Sequence, residues 1–577
     1  MSHRSDELTR RSLLRASAAA MGVSWIPVGM ATPAHAGAFT DDPVPPAFPP
    51  GIDLYREVYK NWAGEIRVDS VWTCAPRSPD DVVDVVNWAH GRGWSVRARG
   101  FRHGWAPLTV TSRPGDAATT ILVDTTRHLT AMEILSTAPG AVRVETGASM
   151  DSLLAFLEEA GLGVTNVPAP GDLSVGGALA IDGHGTSIPA VGEIRMPGHT
   201  YGSLSNLILS VTAVVWDPAG GRYRLRTFDR ADPQCKAFLT HLGRAFLTEV
   251  TLRVGPNYHL RCVSHVEIPA GELFGAPGSG GRTFASFAAA AGRVEAIWFA
   301  FTDHPWLKVW SLAPHRPLFS RPVVAPYNYV FSDNVPEIVS DLAELLLSGA
   351  WELTPTFGQL QYAAAAAGLA ATFTSDLWGR SKNLLLYVKP NTLRETANGY
   401  AVHTSRDSIQ RVVSEFASFY RDQLAAYRER GLYPVTGQVE IRVAGVDRAS
   451  DVAVAGAEPP ALSAARPRAD HPEWDVVVWF DVLTFPTARG LHEFYRDMEA
   501  FFFANYSGSY AGTRVEWSKG WGYTTDAAWA DPTIVGQTVP DSFRQGPDPT
   551  WDWAALTLDA HDPHRVFSNA FLDLLLP

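Results

Sequence analysis

The sequence predicts an α+β fold of two domains, with the chain returning to the first domain at its end. Three observations carry this. Helical and strand periodicities alternate up to about residue 254; beyond it, apolar hairpin-like strands dominate; and the stretch from about Trp529 to Leu576 is loop-rich and closes on the apolar run VFSNAFLDLLL. A chain of 577 residues, 46% hydrophobic, exceeds what one core holds, since single cores stop growing near roughly 250–300 residues. The expected limits are residues 37–264 for the first domain, completed by about 529–577, and 265–528 for the second.

The chain opens on a targeting pattern. Arg10-Arg11 followed by Ser12-Leu13-Leu14 has the form of a twin-arginine export signal, and Ala34-His35-Ala36 is an A-x-A cleavage site. Residues 1–36 carry four Arg and two acidic residues, so their removal takes the net charge from −12 to about −14. An acidic protein of this kind argues against nucleic acid and against electrostatic attachment to anionic membranes. No later stretch is long and apolar enough to span a bilayer. Cys74, Cys235 and Cys262 form neither a disulfide scaffold nor a metal-type spacing; whether one pair bridges stays open.

After a proline-rich lead-in at 40–50, SPDDVVDVVNWAHGRGW starts a helix with Ser78 as cap, Pro79 at the first turn and Asp80 and Asp81 at the positive end of the dipole. SVRAR and ILVDTT read as strands, MDSLLAFLEEAGLG as a helix, and LILSVTAVVWD and FLTEVTLRV as further strands. In the second region VEAIWFAF and LKVWSL form a hairpin about TDHPW. NLLLYVK, GQVEIRVAG, DVVVWFDVLTF and RVEWSKGW are expected strands, and helices are expected near 335–349 and 407–430. Residues 452–471 are an Ala/Pro-rich loop.

Two glycine-bearing segments in the first region point to a large planar ligand. In RARGFRHGW, Arg97 to Trp105, Gly100 and Gly104 permit close backbone approach, consecutive N–H groups can form an anion nest, and Arg97, Arg99 and Arg102 add positive charge. PAPGDLSVGGALAIDGHGTS, Pro168 to Ser187, is glycine-rich among small and polar residues. It is neither G-x-G-x-x-G after a strand nor a P-loop, which removes support for nicotinamide and nucleotide triphosphates. The ordered set R-x-R-G-x-x-H-G, LVD, V-E-T-G, G-D-x-S-V-G-G and G-H-G-T, over about residues 55–255, resembles the FAD domain of the vanillyl-alcohol oxidase (p-cresol methylhydroxylase) family. That resemblance implies a vanillyl-alcohol-oxidase-like FAD fold with a β-sheet substrate (cap) domain. It also implies FAD attached covalently to His103, within the loop Arg99, Gly100, Phe101, Arg102, Gly104 and Trp105. Asp172, Ser174, Gly177, Ile181, Gly183, His184, Gly185 and Thr186 are the implied flavin neighbours, and His184 reads equally as a satisfied core histidine. Relatives with a second flavin link carry a cysteine where this chain has GVTNVPAPGD, so the link is expected to be single.

In GQVEIRVAG, Glu440 and Arg442 alternate with Val439, Ile441 and Val443 and so share one strand face, about 7 Å apart. RVEWSKGW is expected to put Trp517 and Lys519 together on one face, and Glu295 comes from the tryptophan-rich hairpin. By themselves these are charged sheet faces. Together with P-W-L-K-V-W, they resemble a narrower group, the bacterial covalent-flavin (type II) cholesterol oxidases, although ARGFRHGW departs from that group just before its histidine. The resemblance implies oxidation of a sterol 3β-hydroxyl by O₂, giving cholest-4-en-3-one and hydrogen peroxide, with the ring double bond moved. Glu440 is the implied acid–base group, its pKa raised by burial and pulled back by Arg442; Arg442 stabilises developing negative charge. Glu295 faces that arginine and Lys519 holds charge nearby. A sugar-lactone or polyol oxidase of the same family, or a non-catalytic sterol-binding flavoprotein, are the alternatives; the Trp, Phe, Val and Leu content of the cap strands speaks for an apolar substrate.

Overall fold

The computed structural model describes residues 44–577 apart from 114, 330–336 and 387–392, so the export pattern at 1–36 lies outside the described residues. The chain divides at Ala47/Phe48, and the architecture here is that of residues 48–577.

Three sheets organise this body. A four-stranded sheet orders Asp53–Lys60, Arg67–Ala75, Thr120–Asp124 and Ser95–Arg99, the last three mutually parallel. Helix Pro79–His90 begins where its cap chemistry predicts: the Ser78 hydroxyl accepts from Asp81 N, and Val82, Val85, Val86 and Ala89 are buried. They pack with Cys74, Val96, Ile121 and Val123 in one core. A five-stranded antiparallel sheet orders Met132–Thr137, Gly140–Glu145, Phe246–Arg253, Ile208–Asp217 and Arg222–Asp229.

The third sheet has nine strands, with the hairpin Arg293–Phe299/Trp306–Leu312 and the strands Gln438–Gly445 and Val476–Thr484 at its centre. One face is apolar: Val439, Ile441, Val443, Val478, Phe480 and Val482 are buried, and Phe480 meets Phe416 of helix Ile409–Glu429 at 4.4 Å between ring centroids. The opposite face carries the charged residues, as the period-two reading expects.

Strand His259–His265, which the sequence reading left in the first region, pairs into this nine-stranded sheet between Trp306–Leu312 and Asp376–Arg380. NLLLYVK is not the expected strand: Ser381–Leu385 is helical, and Tyr387 to Lys389 lie outside the described residues. Strand Ala511–Val515 stops before the rest of RVEWSKGW, because Lys519 N turns back to Glu516 O at 3.1 Å. The C-terminal segment does return to the first region. Val96 N donates to Val566 O, and Asp562 accepts from Tyr223 and Arg244; only Ala570–Leu575 of the final apolar run is helical. All three cysteines are free and buried.

Candidate functional site

A cavity of about 460 Å³ connects the glycine-bearing segments to the charged face of the nine-stranded sheet. Every sequence-predicted site residue except Asp172 lines it, and Asp172 touches it through His103.

The parallel strand Ser95–Arg99 delivers Gly100–Trp105 at its C-terminal end. The arginines expected to offer free positive charge here are already engaged. Arg99 pairs with Glu57 at 2.9 Å and Asp124 at 3.0 Å. Arg102 donates to Val58 O and lies 3.7 Å from Glu57. Arg97 is buried among the carbonyls of Thr109, Gly243, Leu108 and Phe567, and burial lowers its pKa to about 9. What stays uncommitted is backbone: among the described residues, the N–H groups of Phe101, Arg102, His103 and Gly104 donate no hydrogen bond within the protein. With Arg102 at φ 66°, this is the geometry of an anion nest.

The glycines show why larger residues are excluded. A Cβ on Gly100 would stand 2.2 Å from the Ser174 hydroxyl, and one on Gly185 2.6 Å from Val167 O. Ser174 caps helix Val175–Ala180 by accepting from Gly177 N at 3.2 Å. The Thr186 hydroxyl lies 2.7 and 2.9 Å from the carbonyls of Val294 and Val443, tying this segment to the cap sheet. The His103 ring stacks on Trp62 at 4.4 Å, with Nε2 3.1 Å from Asp172 Oδ2 and no partner on Nδ1 among the described residues. Burial works to raise the Asp172 pKa, but the His103 hydrogen bond and charge, with a backbone hydrogen bond and Arg394, together leave the carboxyl below its ordinary value. The open nest, the glycine contacts and a histidine with one free ring nitrogen fit a dinucleotide carrying a planar ring system.

Facing this cradle, cross-strand register sets two rows of side chains. One runs Lys308, Glu295, Arg442, Trp479; the next runs Ile297, Glu440, Asp481, Gly399. Arg442 sits at the hub: Nε to Glu295 at 2.9 Å, Nη1 to Asp481 at 2.9 Å, and Nη2 to Glu440. Lys519 reaches in from the turn, 3.3 Å from Asp481 and 3.5 Å from Glu516, with Nζ over the Trp105 ring. Gly399 makes room for it, since a Cβ there would lie 2.6 Å from Lys519 Cγ. Trp517 does not share this face: it is buried, donating to Leu462 O, because the strand has ended and the residues spaced three apart, Glu516 and Lys519, project together. His184 is stacked on Trp479 at 3.6 Å and lines the cavity 3.8 Å from Glu516.

The electrostatics separate the carboxyls. Burial works to raise the Glu440 pKa, and Arg442 and then Lys519 pull it back, below the ordinary value. Glu395 is buried, unpaired at Oε1 and beside Glu440; burial first, then the Glu440 charge, push it up to about 8. Asp481 is driven well above the carboxylate range by burial and by Glu516. Burial works to raise the Glu516 pKa, but Lys519 and then His184 and Asp481 together hold it well below the ordinary value.

Sequence reasoning missed Asp481, Glu516 and Glu395. Asp481 was visible as the single charge in VVVWFDVLTF; the other two sit where a strand ends or begins, outside any period-two pattern.

Comparison with known proteins follows these parts. Residues 259–577 match a family model for the substrate-binding domain of cholesterol oxidase, and residues 72–220 match an FAD-binding domain. A solvent-stable cholesterol oxidase structure is 56% identical, covering 93% of this chain and all of that one, with a TM-score of 0.91. Cholesterol oxidase from Brevibacterium sterolicum is 45% identical over 93% and 99% of the two chains, TM-score 0.91; a His-to-Ala variant of it gives 44%, over the same shares, and 0.90. Among curated proteins, D-arabinono-1,4-lactone oxidase of Yarrowia lipolytica is 26% identical over 36% of each chain. L-gulono-1,4-lactone dehydrogenase of Mycobacterium tuberculosis is 26% identical over 35% of this chain and 42% of that protein. The match thus spans well under half the length of these curated relatives.

Proposed function

The chain belongs to the cholesterol oxidase family, with an FAD-binding domain and a cholesterol-oxidase substrate-binding domain, and from that premise we propose that it is an FAD-dependent oxidase of 3β-hydroxysterols. The observation that carries this reading is the single cavity joining the His103 loop to the Arg442 cluster, with Ile297, Phe299, Trp310, Tyr327 and Leu384 among its apolar walls. Bound FAD supplies the hydride acceptor, and its reoxidation by O₂ yields hydrogen peroxide.

His103 would hold the cofactor by a single covalent link, for which Nδ1 is the ring nitrogen left free when Nε2 engages Asp172. The N–H groups of Phe101–Gly104 receive the diphosphate. Arg442 steadies negative charge developing on the substrate oxygen. Glu440, held ionised by Arg442, accepts a proton, while the neutral Glu395 has one to give. Isomerising a C5–C6 double bond to C4–C5 needs both, a base at C4 and an acid at C6, and two carboxyls with separated pKa values meet that need. Glu295 and Lys519 keep Arg442 and Glu516 in place.

The FAD domain is proposed to end before His259, where the nine-stranded sheet begins, and to be completed by the C-terminal segment. The N-terminal pattern directs export by the twin-arginine route with cleavage after Ala36, placing the enzyme outside the cytoplasm. Among the described residues no helix is long and apolar enough to cross a membrane. The lactone-oxidase likeness favours a sugar-lactone or polyol substrate, but it covers about a third of the chain. Peroxide release with cholesterol but not xylitol, and bleaching of the yellow enzyme by cholesterol without air, is the expected result. Turnover of xylitol alone overturns the sterol reading, and sterol binding without bleaching overturns the oxidase reading.

A further inference from the structure

Asp481 and Glu516 each leave one oxygen unexplained. Asp481 is fully buried; Oδ2 accepts from Arg442 and Lys519, but Oδ1 has no partner among the described residues. Glu516 Oε1 lies near Lys519, His184 and the Ser518 hydroxyl at 3.5, 3.8 and 3.2 Å, but Oε2 is buried and has no partner among the described residues. Both carboxyls bear on the Lys519 ammonium, Asp481 Oδ2 at 3.3 Å and Glu516 Oε1 at 3.5 Å. Two bare carboxylates so placed would repel and would each bury a lone pair without a donor. Every other charged group around them is already spoken for: Glu440 and Arg442 on the adjoining strand, Glu295 beyond it, Lys519 from the turn and His184 from the flavin-side loop. Asn398, on the other neighbouring strand, is neutral.

We propose that Asp481 and Glu516 hold one proton between them, so that the pair carries a single negative charge and Asp481, relieved of a full charge, serves as a positioning residue for Arg442. The proton belongs to the pair rather than to either residue. Its effect is on the arginine. An ionised Asp481 at 2.9 Å would add a third full charge to Glu295 and Glu440 and would cancel the positive field that Arg442 turns toward the cavity. A neutral Asp481 still accepts from Arg442 and fixes its plane without doing so. The catalytic consequence rests on the sterol oxidase reading; the shared proton does not.

The test uses the purified full-length holoenzyme and the variants Asp481→Asn, Glu516→Gln and the double. An amide at either position keeps one negative charge on the pair. Infrared difference spectra at neutral pH, wild type minus each single variant, are expected to show the same protonated-carboxyl C=O band, and the double variant is expected to remove no second one. In anaerobic single-turnover reduction by cholesterol, each single variant is expected to slow by less than about tenfold. The double variant, which has neither proton nor charge on the pair, is expected to depart from the product of the singles by about tenfold or more. Absence of the band, or single effects that multiply to the double, overturns the proposal, since both carboxyls would then be ionised and independent. Should cholesterol not reduce the flavin at all, the sterol reading fails and the infrared band still decides the proton. Should one single variant not accumulate, the other decides by its band.

Discussion

The two walls of the cavity are built on opposite principles. The wall contributed by Gly100–Trp105 and Gly176–Thr186 recognises with backbone: open N–H groups, glycines that a methyl group would jam, and arginines turned away into Glu57, Asp124 and nearby carbonyls. The wall contributed by the nine-stranded sheet recognises with side chains, setting Arg442 among three carboxyls in two cross-strand rows. The first suits a cofactor that stays, whose diphosphate and ring need shape and fixed dipoles. The second suits a reaction in which charge appears and disappears, because ionisable groups with separated pKa values can hold and release protons.

The contrast breaks most visibly at Arg442. Arg442→Met leaves Glu295, Glu440 and Asp481 without their cation, and a loss of about 3–5 kcal/mol in unfolding free energy is expected by denaturant titration. Flavin reduction by sterol is expected to slow at least tenfold; a near-normal single-turnover rate would remove Arg442 from the chemistry.

His103→Ala tests the other wall. The acid-precipitated wild-type polypeptide is expected to be yellow and to yield a yellow peptide containing His103, whereas the variant's pigment passes entirely into the supernatant. Fold and sterol binding are expected to survive, because the Trp62 stack and the Asp172 contact are local.

Glu395→Gln sharpens the acid–base half of the comparison. Burial and Glu440 raise the Glu395 pKa to about 8, above its value in the unfolded chain. Its stabilising effect is therefore complete below the unfolded pKa and is lost as pH rises toward 8. The wild type is expected to lose stability across that window by up to about 1.4 kcal/mol per pH unit more than the variant, measured by denaturant unfolding at several pH values. If Glu395 is the acid at C6, the variant also accumulates the unisomerised ketone.

The smallest effect is expected where the walls are tied together. Thr186→Val removes the hydroxyl between Val294 O and Val443 O, and about 1–2 kcal/mol is expected to be lost in unfolding free energy, with the flavin still attached.

Local order was legible because it depends on neighbours in sequence. Ser78 capping its helix, the hairpin about residues 300–305, and the shared face of Glu440 and Arg442 all follow from periods and caps spanning a few residues. The errors lie where tertiary contacts override those periods. His259–His265 left its expected domain to find two strand partners, NLLLYVK opened as a helix, and RVEWSKGW stopped being a strand one residue after Val515.

The sequence by itself determined the glycine-rich cradle, its histidine and the alternation of charge along one cap strand, since each is a property of a short contiguous segment. Only the tertiary structure decided that Asp481 joins Glu295 and Glu440 around Arg442, and that Glu395 and Glu516 line the same cavity. Glu295, Glu395, Asp481 and Glu516 come from four separate segments, and their ionisation depends on burial and distance that no local pattern encodes.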